Sequence, residues 1–122
     1  MPLVDTSVWV SHLRDGDAHL AHLLDAGEVW THPFVIGELS CGHLQNRKEI
    51  LELLRQLPVA AVASHDETLQ LIEGQELWGA GLGYVDVHLV AAALITGLGL
   101  WTLDKSLGRT AQRIGCGYDG LS

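Results

Sequence analysis

Short apolar runs alternate with longer stretches of helical period along this chain, the signature of βαβ units built around a parallel sheet covered on both faces. Pro2 to Val4 reads as a first strand, after which Asp5-Thr6-Ser7 offers capping side chains to a helix running to about Leu13. Beyond the Asp15-Gly16-Asp17 turn, Leu20, Leu23, Leu24 and Gly27 fall at i, i+3, i+4 and i+7, an amphipathic helix that stops at Gly27. Val29 to Thr31 is a short second strand. Pro33 opens a largely apolar helix in which Glu38 is the lone charge, and Arg47 to Leu57 is expected to turn Ile50, Leu51, Leu53, Leu54 and Leu57 inward. Val59 to Ala63 follows as a third strand. Ser64 caps a helix over Glu67 to Trp78, with Glu67 completing a capping-box pattern. Gly79 to Gly83 is a loop. Tyr84 to Thr96 is apolar all round except for Asp86 and His88, which predicts a buried helix ended by Gly97. Leu100 to Leu103 is a fourth strand, Asp104 or Ser106 starts a last helix to about Ile114, and Cys116 to Tyr118 adds a short edge strand.

Composition narrows the class. With 122 residues, 48% hydrophobic and 18% charged, and a mean hydropathy of +0.21, the chain is too apolar to be disordered and reads as a single domain over residues 1–122. Seven Lys and Arg against fifteen Asp and Glu give a formal charge of -8, which argues against broad attraction to nucleic acid or an anionic membrane. Cys41 and Cys116 are too few for a disulfide framework and read as small buried apolar residues in a reducing cytoplasm. The opening segment has neither a charged n-region nor a long apolar stretch, so no signal peptide is expected. Leu89 to Leu103 falls short of the roughly 20 apolar residues a membrane span needs.

Four acids stand out by placement: Asp5 just after strand one, Glu38 and Asp86 inside apolar helices, and Asp104 just after strand four. Ionised carboxylates in apolar surroundings are costly unless paired, and this chain has few cations. In a parallel α/β sheet the carboxyl ends of the strands share one edge, where ligands collect. Asp5 and Asp104 are expected to face one crevice, with Asp86 and Glu38 pointing into it. Hard oxygen donors without adjacent His or Cys favour Mg2+ or Mn2+ over zinc. Such ions activate water and stabilise the leaving oxygen of a phosphodiester, so metal-dependent phosphodiester hydrolysis is the chemistry expected.

Leu3-Val4-Asp5-Thr6-Ser7-Val8-Trp9, Ile36-Gly37-Glu38-Leu39, Gly83-Tyr84-Val85-Asp86 with Leu89 to Ala93, and Leu100-Trp101-Thr102-Leu103-Asp104 together resemble a PIN-domain ribonuclease of the VapC type, the toxin half of toxin–antitoxin pairs. Any one segment is weak, but four in order and register are specific. The resemblance implies a three-layer α/β/α sandwich on a central parallel sheet of four to five short strands. It also implies a Mg2+-dependent endoribonuclease acting on RNA, an antitoxin partner that blocks the site, and a homodimer. Asp5 and Asp86 become the principal metal ligands, Asp104 a further one, and Glu38 a ligand directly or through water. Thr6 and Thr102 match supporting polar positions.

An acidic protein that binds RNA needs local positive charge, and Lys105, Arg109 and Arg113 recur every fourth residue on one stripe of the last helix, beside Asp104. His88 reads as a satisfied interior histidine, and His19 with His22 as a solvated face. Trp78, next to the glycine loop, is the tryptophan placed to touch a partner or a base. Two other readings remain open. Asp5 could serve as nucleophile in an aspartyl-phosphate reaction, although Ser7 stands where a second carboxylate is usual. Alternatively, a catalytically silent acidic pocket could dock a basic peptide.

Overall fold

A computed structural model of the chain describes residues 1–120. Two parallel strands, β1 (Pro2–Val4) and β2 (Gly99–Trp101), pair with Pro2 opposite Gly99, Leu3 opposite Leu100 and Val4 opposite Trp101. Leu3, Val4, Leu100 and Trp101 are all buried, because helices cover both faces of a parallel pair. Single parallel bridges extend the pair outward: Trp30 to Leu3, Val59 to Thr31, and Gly117 to Leu100.

Seven helices complete the described chain: α1 (Thr6–Asp15), α2 (Ala18–Asp25), α3 (Pro33–Ser40), α4 (Arg47–Gln56), α5 (His65–Gly74), α6 (Tyr84–Thr96) and α7 (Lys105–Ile114). Their starts follow the chemistry of the residues before them. Asp5, Asp17, His32, Ser64 and Asp104 each accept a hydrogen bond from a first-turn N–H, which satisfies donors that a helix leaves free. Pro33 at the first turn of α3 loses no useful donor.

The expected sheet of four to five strands is corrected to two strands and three bridging positions. Val29–Thr31 stops because His32 already caps α3. Val59–Ala63 leaves the sheet because the Ala61 N–H takes the Thr96 hydroxyl at 3.0 Å instead of a strand neighbour. Cys116–Tyr118 makes two bonds to Leu100, at 2.7 and 3.1 Å, and goes no further. β2 begins at Gly99 and ends at Trp101 rather than running to Leu103, since the Asp104 N–H turns back onto the Thr102 hydroxyl.

Four other expectations shift. α5 runs over His65–Gly74, not Glu67–Trp78: both halves of the Ser64–Glu67 capping box are present and fix its start, and left-handed Glu76 ends its run. α6 is buried continuously from Val87 to Ala93, but Leu94 and Ile95 emerge at 43% and 55% exposure. Leu53 of α4, expected on the inward side, is exposed. Cys116 is buried as expected, whereas Cys41 is exposed. Among the described residues no helix is long and apolar enough to cross a membrane.

Parallel bridging gives the spatial order Val59, Trp30–Thr31, β1, β2, Gly117. The chain winds outward from β1 to one side and returns to the other side at β2. The β1/β2 boundary is therefore the topological switch point, and a crevice is expected beyond the carboxyl ends of these two strands.

Candidate active site

Asp5 and Thr102 lie at that switch point. Asp5 is 6% exposed, and its carboxylate is held from the first turn of α1 and from Thr102 just past β2. Oδ1 accepts from the Thr6 N–H at 2.8 Å. Oδ2 accepts from the Ser7 hydroxyl at 2.8 Å and from the Thr102 hydroxyl at 2.7 Å. The same two hydroxyls then accept from the next loop, Ser7 from the Leu103 N–H and Thr102 from the Asp104 N–H, each at 3.0 Å. One buried acid is thereby tied to the turn that presents another. Ser7, which the sequence offers as a cap and as the residue standing where an aspartyl-phosphate enzyme usually has a second carboxylate, is thus a direct partner of Asp5. Its Asp-x-Ser spacing was the available signal, but its partner at Leu103 lies far along the chain.

Asp104 is exposed and caps α7 through Oδ1, which accepts from the Leu107 N–H at 2.9 Å. Glu38, also exposed, projects from α3, and its Oε1 accepts from the Thr6 hydroxyl at 2.7 Å. Asp86 sits in the first turn of α6, where Oδ2 accepts from the Gly83 N–H at 2.8 Å. Burial pushes the Asp86 carboxyl above its usual range; the Gly83 N–H opposes the shift, and repulsion from Asp5, Asp104 and Glu38 adds to it. The other three predicted acids thus each lie close enough to repel the Asp86 carboxylate.

Among the described residues no ion pair involves these acids, the recorded bridge being Arg14 to Asp15 at the surface. No group of three His, Cys, Asp or Glu side chains among them is spaced to hold a metal ion as it stands. The donor set nonetheless suits a hard divalent cation, because it is all carboxylate and no cation among the described residues pairs with it.

Tyr84, two residues before Asp86 in α6, has its hydroxyl 2.5 Å from His65 Nδ1. The Tyr84 ring meets His88 edge-on at 4.6 Å, and Phe34 does the same at 4.8 Å. His88 is interior, as expected, but its Nδ1 has no partner among the described residues; neither does Nε2 of the fully buried His32. His32 Nδ1 accepts from the Phe34 N–H, and burial with repulsion from His88 lowers its pKa to about 4. His19 is not simply a solvated side chain, since its Nε2 meets the Tyr118 hydroxyl at 2.7 Å.

The basic stripe divides. Lys105 and Arg109 line a cleft of about 640 Å³ that begins at Thr102 and Asp104, whereas Arg113 donates to the Gln75 carbonyl at 3.0 Å. Trp78 is 61% exposed, but it is not among the residues lining that cleft.

A parallel α/β sheet with carboxylates gathered at its switch point defines a class, and residues 3–113 match the PIN domain family; the chain belongs to that family. Among individual relatives it is similar to "Ribonuclease VapC32" of Mycobacterium tuberculosis (strain CDC 1551 / Oshkosh). The two are 49% identical over 108 residues, covering 88% of this chain and 87% of the relative. The protein of the same name from strain ATCC 25618 / H37Rv matches to the same extent. The crystal structure of PAE2754 from Pyrobaculum aerophilum shares the fold with a TM-score of 0.62 at 21% identity, covering 89% of this chain and 78% of that one.

Proposed function

We propose that this protein is a divalent-metal-dependent endoribonuclease, the toxin of a VapC-type toxin–antitoxin pair. The observation that carries the reading is the set of four uncompensated carboxylates at the switch point, three of which raise the pKa of the fourth. Likeness to a protein named as a ribonuclease over most of both chains supplies the substrate class.

Asp5 and Asp86 would hold the ion, with Asp104 as a further ligand and Glu38 binding directly or through water. Mg2+, with Mn2+ as substitute, supplies a polarised water and neutralises charge developing at the phosphate. The chain's own residues prepare for this. Ser7, Thr6 and Thr102 hold the Asp5 carboxylate by three hydrogen bonds, so its orientation is set before any ion arrives. Thr6 also holds Glu38. The exposed Asp104 and Glu38 form the rim and the buried Asp5 the floor, an open arrangement suited to a polymer. Lys105 and Arg109 counter the repulsion that the acidic rim exerts on an approaching phosphate, with Arg113 further along the same helix.

Cytoplasmic activity, control by a cognate antitoxin and assembly as a homodimer belong to the same proposal. A second reading draws support from the spacing of the acids, which do not yet form a tight ligand set: a basic side chain of a protein partner would occupy the same pocket. An aspartyl-phosphate mechanism is disfavoured, because Ser7 stands where its second carboxylate is usual and donates its hydroxyl to Asp5 Oδ2.

Incubation with single-stranded RNA tests the proposal. Cleavage is expected in Mg2+ or Mn2+, lost in chelator and restored by either ion. Binding without cleavage under all these conditions would leave only the docking reading.

A further inference from the structure

The cleft of about 640 Å³ beside the acids lies within the ~300–1,000 Å³ range of ligand sites. From Asp104 it runs between α7 and the Gly117–Tyr118 segment. Lys105, Gly108, Arg109 and Gln112, at i, i+3, i+4 and i+7 of α7, all line it. The Lys105 ammonium makes no hydrogen bond or ion pair among the described residues. Arg109 makes one long contact, 3.4 Å to the Ser106 hydroxyl. Both cationic heads are therefore available, unlike that of Arg113.

The floor and wall of the cleft carry a second argument. Gly108 lies inside a helix, where glycine costs about 1 kcal/mol relative to alanine. It has no positive φ, and a Cβ there would come no closer than 3.8 Å to the Thr102 methyl. Neither backbone geometry nor local packing demands this glycine, but a side chain at the position would enter the cleft. Across the cleft a Cβ on Gly117 would collide with the Gln112 amide, so that glycine gives the amide its place. The wall is aromatic. Tyr118 packs against Trp101 with ring centroids 5.6 Å apart, and the His19 bond fixes its hydroxyl.

We propose that this cleft holds one nucleotide of a single-stranded RNA flanking the scissile bond, its phosphate on Lys105 and Arg109 and its base between Tyr118 and the Gln112 amide. The proposal rests on the ribonuclease reading and deepens it by assigning a base-contacting subsite. Cations beside a half-buried aromatic surface suit single strands, in which unpaired bases stack. The Gln112 amide, which both donates and accepts, can select among base edges.

The test uses Asp86→Asn as a non-cleaving background and anisotropy with a fluorescein-labelled oligoribonucleotide. Gly108→Leu fills the cleft without changing charge and places a good helix former in α7. It is expected to weaken binding about tenfold, the equivalent of one lost base contact, with an unchanged salt slope and an undiminished melting temperature. Lys105→Ala with Arg109→Ala is expected to weaken binding and flatten the salt slope by about two charges' worth. In the cleaving protein, Gln112→Ala is expected to redistribute cut positions across a randomised RNA pool. Should the otherwise wild-type protein cleave RNA while Gly108→Leu cleaves with the same affinity and the same cut positions, the cleft assignment falls and the ribonuclease reading stands. Should the wild-type chain neither bind nor cleave RNA, both fall. Displacement of the oligonucleotide by polyglutamate at equal concentration would assign the cleft to acidic peptides and overturn the proposal.

Discussion

Asp86 bears a repulsive load that a neutral side chain would not. Asparagine at this position keeps an oxygen to accept the Gly83 N–H and removes the charge that burial and three neighbouring carboxylates disfavour. Asp86→Asn is therefore expected to melt no lower than the wild type in chelator while losing metal-dependent cleavage. Thermal melts and RNA gels check the two halves, and a cleaving variant would remove Asp86 from the site. All four acids stand out as candidates in the sequence, because an acid directly after a strand, or alone in an apolar helix, is conspicuous on a local scale. Ser7 was less so, because its role arises from hydrogen bonds to Asp5 and Leu103 that join distant parts of the chain. His32 illustrates another residue-level effect that only burial reveals. Its pKa falls from 6.5 to about 4, so the unfolded chain binds the proton first as pH drops. The stability it contributes is whole above pH 6.5, declines as the pH falls, and is lost by about pH 4. His32→Asn retains a capping acceptor and should flatten the stability-versus-pH profile across that window, as urea titrations would measure.

At the scale of elements, helices were more legible than strands. Periodicity and caps identified all seven helices to within a few residues, because a helix closes its hydrogen bonds locally. A strand exists only through its neighbours: β1 and β2 pair over three residues, whereas the segments at Trp30–Thr31, Val59 and Gly117 meet their neighbours at single bridges. Past Val59 the Ala61 N–H goes to the Thr96 hydroxyl instead. The Gly79–Gly83 loop matters more than its composition implied. Gly81 has φ +79°, and a Cβ there would stand 2.9 Å from the Ser106 hydroxyl oxygen. The loop thus passes close over the start of α7, which helps bring Asp86 on α6 to the crevice shared with Asp104. Gly81→Ala is expected to destabilise the fold by about 1–2 kcal/mol through its left-handed backbone and to lower cleavage by moving α6. Adding Ser106→Ala should recover part of the steric loss and none of the backbone strain. A calorimetric melt of the three variants checks this, and an unperturbed Gly81→Ala would show that the loop adapts freely.

Across the whole molecule, the charge of -8 ceases to be a uniform repulsion of nucleic acid. Three of the acids repel a fourth, Asp86, near the switch point, while Lys105 and Arg109 line the adjoining cleft, so negative and positive fields lie side by side. Two divalent ions would cancel the charge of the four carboxylates and convert mutual repulsion into attraction. Because ions bound there would favour the folded arrangement of ligands over the unfolded chain, their binding would raise stability, by about 2.7 kcal/mol at a hundredfold excess over Kd. For a domain of this size that corresponds to roughly 10 °C in Tm. The expected result is a rise of this order when Mn2+ or Mg2+ is added to the wild-type protein, and little or none in an Asp5→Asn/Asp86→Asn double variant. Monovalent salt at matched ionic strength, which screens without ligating, should stabilise the wild type by less and narrow the gap between the two proteins in chelator. Equal divalent-ion shifts in both proteins would locate the bound ions elsewhere on the acidic surface and separate the carboxylate cluster from metal binding.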